Sequence, residues 1–128
     1  MGVMDMVERI GYKVLETCGD GNHYSPCPRT GVRTHYPVNE WFTDAGGHGI
    51  YVFVSHEEAR AWIDRQTNPE PGHGAMIGKL WEIWECRCDG DIRPGDNPDN
   101  PEELRVTRLM LVMIVEQDPR ITQLAKIR

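Results

Sequence analysis

A chain of 128 residues with 39% hydrophobic residues, four Trp and four Tyr has the material for one domain around one core. Its formal net charge of −6 and pI of about 5.3 argue against general nucleic-acid binding, because phosphate backbones attract basic surfaces. No apolar run approaches membrane-spanning length, and Met1–Ile10 mixes acids with its apolar residues and has no small-residue cleavage pattern, so the expectation is a cytoplasmic chain with no membrane partner.

Taken in order, Met1–Glu8 reads as a short helical or frayed lead-in. Gly11–Glu16 reads as a strand with Tyr12, Val14 and Glu16 on one side and Lys13 and Leu15 on the other. Gly19-Asp20-Gly21-Asn22 is a dense turn signal, and Tyr24-Ser25 then begins a return strand that would form a hairpin with the first. Pro26, Pro28 and Gly31 break regular structure, and Val32–Tyr36 is a short strand stopped by Pro37. Asn39–Phe42 fits either one helical turn or an edge strand.

Ala45–Gly49 is a flexible approach to Ile50–Val54, a run of β-branched and aromatic residues that predicts a strand covered on both faces. Ser55 opens a capping box with Glu58, two acids occupy the first turn, and Ala59, Trp62 and Ile63 form the buried stripe of a helix ending near Gln66, before Asn68-Pro69. After a loop over Glu70–Gly78, Lys79–Cys88 alternates as a strand with Leu80, Glu82, Trp84, Cys86 and Cys88 on one face and Trp81, Ile83, Glu85 and Arg87 on the other. Asp89–Pro101 is an acidic loop, and Leu104–Val115 is a last strand whose length suggests a bulge. Pro119 ends it, and Ile121–Arg128 is a basic, helical tail. The order predicts an α+β fold: a mixed, mostly antiparallel sheet with one or two helices, in a single domain over residues 1–128.

Several constellations bear on chemistry. His48 and Tyr51 sit together at a glycine-flanked strand that leads into a helix, where backbone can approach a ligand closely; the other reading makes Tyr51 a core aromatic and His48 a loop residue. Cys86 and Cys88, with Cys18 and Cys27, make a four-cysteine zinc candidate in which His23 or His35 could substitute. Eight residues separate Cys18 from Cys27, where zinc knuckles use about two to four, so buried or idle thiols are the competing reading. Glu82 is either an acid with a raised pKa among apolar neighbours or the partner of an adjacent strand. Asp89, Asp91, Asp96, Asp99, Glu102 and Glu103 lack calcium-loop spacing and read as a solvated loop or a docking surface for a basic partner. No Walker loop, dinucleotide fingerprint, G-x-S-x-G elbow or H-E-x-x-H is present.

His48-Gly49-Ile50-Tyr51-Val52-Phe53, followed by Ser55 and Ala59, resembles the middle motif of the ADP-ribosyltransferase superfamily. Glu102-Glu103-Leu104-Arg105-Val106 is similar to that family's late acidic motif, with Glu103 the better match. The resemblance implies an ADP-ribosyltransferase-like fold and NAD as substrate. It makes Tyr51 and Glu103 the catalytic pair, Tyr51 stacking on nicotinamide and Glu103 stabilising an oxocarbenium-like ribose. It also implies nucleotide contacts from Tyr12, Lys13, His48, Gly49, Tyr51 and Ser55, and no bound metal. The family's first-strand His or Arg has no counterpart here, where Lys13 supplies a cation without the guanidinium fork. Two functions follow as expectations. One is transfer of ADP-ribose to a protein or small-molecule acceptor. The other is a catalytically inactive binding protein, such as a phage-type inhibitor that docks on a host protein or sequesters a nucleotide. The chain is also similar to small phage and bacterial proteins that begin G-Y-K-V and carry a later Y-x-F-x-S unit, a likeness that brings no activity with it.

Overall fold

The computed structural model describes residues 9–17, 23–24, 34–43, 49–67, 76, 78–90, 92–94 and 103–121. The lead-in, the Gly19–Asn22 turn, His48, most of the acidic loop and the tail beyond Ile121 lie outside them. The elements are β1 (Arg9–Thr17), β2 (Trp41–Thr43), β3 (Ile50–Phe53), α1 (His56–Gln66), β4 (Leu80–Asp89), β5 (Arg93–Pro94), β6 (Glu103–Val106) and β7 (Arg108–Gln117). They form a seven-stranded sheet in the order β2-β7-β4-β1-β3-β6-β5. Every strand pairing is antiparallel, and an isolated parallel bridge joins Val38 to Leu111. The mostly antiparallel α+β architecture expected from the sequence is therefore present. No described helix is long and apolar enough to cross a membrane.

The expected single strand over Leu104–Val115 is instead two strands, β6 and β7, parted by Thr107 alone. The two are not neighbours: β3, β1 and β4 lie between them in the sheet. A flat sheet would hold them four strand spacings apart, about 19 Å, whereas Val106 and Arg108 are joined by one residue and can be no more than about 7 Å apart. The sheet must therefore roll until its two sides meet at the Thr107 corner. The expected bulge is present in β7, whose register against β4 shifts between Ile83 and Trp84 and again between Glu85 and Cys86.

The inside of the roll is an apolar core in which Leu15, Val52, Trp84, Cys86 and Leu109 are buried, closed over by Tyr36, Val38, Phe42 and Ile92. It is narrow. A Cβ on Gly11 would stand 3.1 Å from Cys88 Sγ and 3.2 Å from Val52 Cγ2, so glycine lets β1 pass at this depth without pushing either side chain aside. Gly90, just past β4, has φ +88° and backs onto the corner, where an added Cβ would lie 2.5 Å from Thr107 Cβ.

The outer face of the sheet carries α1. Ser55 caps the helix, its Oγ accepting from the Glu58 N–H at 3.1 Å, and Glu57 and Glu58 sit in the first turn. Ala59 and Ile63 are fully buried against Val14, Phe53, Trp81 and Ile83, and Trp62 is half-buried beside them. The predicted stripe is thus the packing face. Asn39–Phe42, left open between helix and edge strand, resolves into edge strand β2 after Asn39 takes a left-handed φ of 61°. Tyr24 bridges Glu16 on β1 and His35 on its other side, so the expected hairpin return and the short strand near His35 each contribute one bridge.

An ion pair fastens the end of β4 to the start of β7. Arg108 Nε donates to Asp89 Oδ1 at 2.7 Å, a second guanidinium nitrogen donates to Oδ2, and the guanidinium lies 4.3 Å from the Trp41 ring centroid. The hydrogen bonds from Arg108 hold the Asp89 carboxyl below its ordinary value of 3.8 despite its burial.

Two predictions follow from this architecture. Gly90→Ala should destabilise the fold by about 1–3 kcal/mol, read as a lower urea midpoint with an unchanged slope. A depressed folded-state pKa contributes stability that is complete above the unfolded value of 3.8 and lost as pH falls through the lower native one. Denaturation measured over about pH 2–6 should show that acid limb in the wild type and a flatter one in Asp89→Asn.

Candidate functional site

The register of β3 against β6 decides how the predicted residues meet. Tyr51 is opposite Arg105, and Phe53 is opposite Glu103. Side chains two apart on a strand share a face, so Tyr51, Phe53, Glu103 and Arg105 all lie on one side of the sheet. Phe53 packs into the outer core under α1, which identifies that side as the outer face. Tyr51, Glu103 and Arg105 are each half-buried there. Tyr51 and Glu103 are diagonal neighbours, about 7–8 Å apart at Cα, and stand side by side rather than across a cleft.

Tyr12 joins the same face. It is paired with Phe53, and its ring stacks on His56 with centroids 6.2 Å apart and an interplanar angle of 19°. Phe53 in turn meets Trp62, with centroids 6.1 Å apart. The outer face therefore presents an aromatic row ending in a carboxylate and a guanidinium. Gly49, with φ +89°, leads into β3 in a conformation open to glycine. The Ser55 hydroxyl is engaged as the helix cap, which sets its position at the start of α1. His48 lies outside the described residues.

Lys13 lies on the face that alternation assigns to it, with Leu15. It alternates with Tyr12 and Val14, so its side chain enters the rolled interior, where the residue is 7% exposed. Its ammonium donates to the Tyr51 carbonyl at 2.7 Å and lies 5.5 Å from the Tyr36 ring centroid. A lysine committed to the opposite face contributes no ammonium to the side chains of Tyr51 and Glu103. Arg105, opposite Tyr51, puts a guanidinium on the face that carries Tyr51 and Glu103. Alternation from Glu103 would have found Arg105, because the two are separated by one residue on the same strand.

Beside this row, His56 and Arg60 of α1 converge on β7. His56 Nε2 is 2.7 Å from Glu116 Oε1, Arg60 Nε donates to Glu116 Oε2 at 3.0 Å, and Arg60 also reaches Asp64. Arg60 lies over Trp81 with its guanidinium carbon 4.8 Å from the ring centroid. Both Glu116 oxygens are engaged, so the cluster anchors helix to sheet.

Inside the roll, Glu82 is 7% exposed and paired, though its partner is His23 of the 23–24 segment rather than a residue of an adjacent strand. Its Oε1 lies 2.6 Å from His23 Nδ1 and accepts from Trp84 Nε1 at 3.1 Å. The His23 and Trp84 rings meet edge-on at 5.0 Å. Sequence spacing gave no hint of this pair, whose members are 59 positions apart.

Cys86 and Cys88 are buried free thiols in the inner core. Burial pushes both pKa values up: Cys86 well above the ordinary thiol range and Cys88 to about 11. Thiols held protonated in an apolar core are poor ligands and poor nucleophiles, so the buried-thiol reading holds for this pair. Among the described residues no group of three or more His, Cys, Asp or Glu is arranged to hold a metal ion. Cys18 and Cys27 lie outside them.

No protein-family model, curated protein or solved structure matches the chain. The burial of the paired thiols gives a direct test. Alkylation at pH 8 followed by peptide mapping should leave Cys86 and Cys88 unmodified in the native protein, and both should react once denaturant opens the roll.

Proposed function

We propose that the outer face of β3 and β6 binds NAD or a related nucleotide, and that the chain transfers ADP-ribose to a protein or small-molecule acceptor. The observation that supports this most is the register that brings Tyr51, Glu103 and Arg105 onto one half-buried face. Each suits a different part of the ligand. An aromatic ring offers a stacking surface to a planar base. A guanidinium pairs with phosphate oxygens in a fork that a lysine cannot match. A carboxylate beside the ribose stabilises positive charge that develops at the anomeric carbon.

In that reaction the bond between the anomeric carbon and the nicotinamide nitrogen breaks, and its electron pair leaves with neutral nicotinamide. The acceptor's nucleophile then forms a bond to the same carbon and gives up its proton. Glu103 opposes the charge of the intervening oxocarbenium-like state, and Tyr51 holds the departing ring.

Lys13 favours a second reading. With its ammonium inside the roll, the outer face lacks a first-strand cation. A protein that holds the nucleotide without turning it over, or that docks on a host protein, fits that arrangement.

The test pairs labelled NAD and a cell lysate with wild type, Glu103→Gln and Tyr51→Ala. Active transfer predicts label on an acceptor, a loss of about 10²–10³ in rate for Glu103→Gln, and weakened binding for Tyr51→Ala. Thermal stabilisation by NAD without label transfer supports the binding protein. Neither label nor stabilisation by NAD or related nucleotides rejects both nucleotide readings and leaves docking on a protein.

A further inference from the structure

The roll forces β1 to share one edge between two partners. Tyr12 is in register with Phe53 of β3, and the pairing of these strands extends to no other described residue. Four positions on, Glu16 exchanges both of its main-chain hydrogen bonds with Tyr24, at 2.8 and 2.9 Å. Between these two points β3 has left β1 and the 23–24 segment has not yet joined it. The sheet forks there, and Lys13 stands in the crotch.

Continuing the β1–β3 register by two residues would put Val14 opposite Tyr51. The Tyr51 carbonyl, which a zipped pair would satisfy from the backbone, instead accepts from the Lys13 ammonium at 2.7 Å. Backbone carbonyls withdrawn from water need such a partner. The donor reaches through from the interior, while the Tyr51 side chain stands on the outer face. One residue thus has its main chain held from one side of the sheet and its ring displayed on the other.

We propose that Lys13 is a positioning residue for Tyr51. By occupying the Tyr51 carbonyl, it keeps β3 from closing onto β1 and fixes where the Tyr51 ring stands beside Glu103 and Arg105. The proposal rests on the nucleotide-binding reading for its functional consequence and on the fork geometry for its structural one. It also accounts for a lysine in an apolar interior, where a buried ammonium is costly unless its hydrogen bonds are used.

The two parts can be separated experimentally. Wild type, Lys13→Met, Lys13→Arg and the control Ile83→Val are compared by two readouts: the Tyr51 amide and ring resonances, and the dissociation constant for NAD. Ile83 is buried in the outer core opposite Val14, so removing one methylene there loosens the packing beside the fork while leaving the Lys13 ammonium and the Tyr51 carbonyl in place. Lys13→Met should shift the Tyr51 resonances and weaken NAD binding about tenfold, the scale of one lost charged hydrogen bond. Lys13→Arg, which keeps a donor in reach of the carbonyl, should restore most of both, and Ile83→Val should change neither. Unmoved Tyr51 resonances in folded Lys13→Met overturn the proposal, whatever happens to binding. Equal losses in Lys13→Met and Ile83→Val also overturn it, because they would mark a purely structural effect. If wild type binds no NAD, the nucleotide reading falls, and the Tyr51 resonances alone decide the role of Lys13.

Discussion

A single residue, Thr107, sets the shape of the molecule. Because it joins β6 to β7 across three intervening strands, the sheet has to curl, and the curl decides what each side chain meets. Residues on the inner side converge on a small volume, which is why a Cβ at Gly11 would crowd Cys88 and Val52 and why Gly90 backs onto the corner without a Cβ. Residues on the outer side diverge, leaving a surface that one helix covers in part. The β1–β4 ladder runs from Arg9–Cys88 to Thr17–Leu80 without a shift, and it is the stiff spine about which both sides bend.

The same curl assigns work to the two faces. The inner face is filled by apolar side chains and closed by Tyr36 and its neighbours, so it supplies stability. The outer face is covered by α1 over Val14, Phe53 and Ile83, and Tyr51, Glu103 and Arg105 remain only half-buried. The proposed binding chemistry falls on this outer face, next to the helix and on strands braced from within. A side chain held on a strand keeps its direction better than one on a loop, which suits residues that must present a ring, a carboxylate and a guanidinium together.

Much of this was legible in the sequence, and the failures have a common origin. Alternation assigned the faces of β1 and β4 correctly, and the capping signal at Ser55 marked the start of α1. Those are local signals with a period of two residues or a spacing of three. The corner at Thr107 also left a trace: the buried positions run Val106, then Leu109 and Leu111, so the alternation changes phase where the chain turns. The expectation of a bulge rested on the length of the run, and a phase slip by itself does not tell one bulged strand from two strands with a corner. Alternation also put Lys13 on the inner face with Leu15, whereas its hydrogen bond to the Tyr51 carbonyl depends on where β3 leaves β1, which no local pattern encodes. His23 and Glu82 could not be joined from sequence, because their contact depends on a chain segment inserting beside β1.

Each of the buried charges has a polar partner, and several stand where strands end or change neighbours. Lys13 lies where β1 changes partner from β3 to the segment around Tyr24. Glu82 is opposite Leu15 on β1 and holds His23, the residue before the inserted Tyr24. Asp89 ends β4 beside the corner and holds Arg108, the first residue after Thr107. Asp118 follows the last residue of β7 and takes Arg120, while its own N–H donates to the Trp81 carbonyl at 2.9 Å. At Lys13 and at Asp118 and Arg120, where main-chain pairing stops or changes hands, charged side chains bond main-chain groups that the ladder leaves open, whereas Glu82 and Asp89 pair with other side chains. A flat sheet of the same strands would meet that problem chiefly at its edges. By curling through a one-residue corner, this chain brings it into the core. An apolar replacement at Lys13 would therefore preserve bulk and still leave the Tyr51 carbonyl without its donor, which makes the lysine's hydrogen bond, rather than its volume, the property the fork requires.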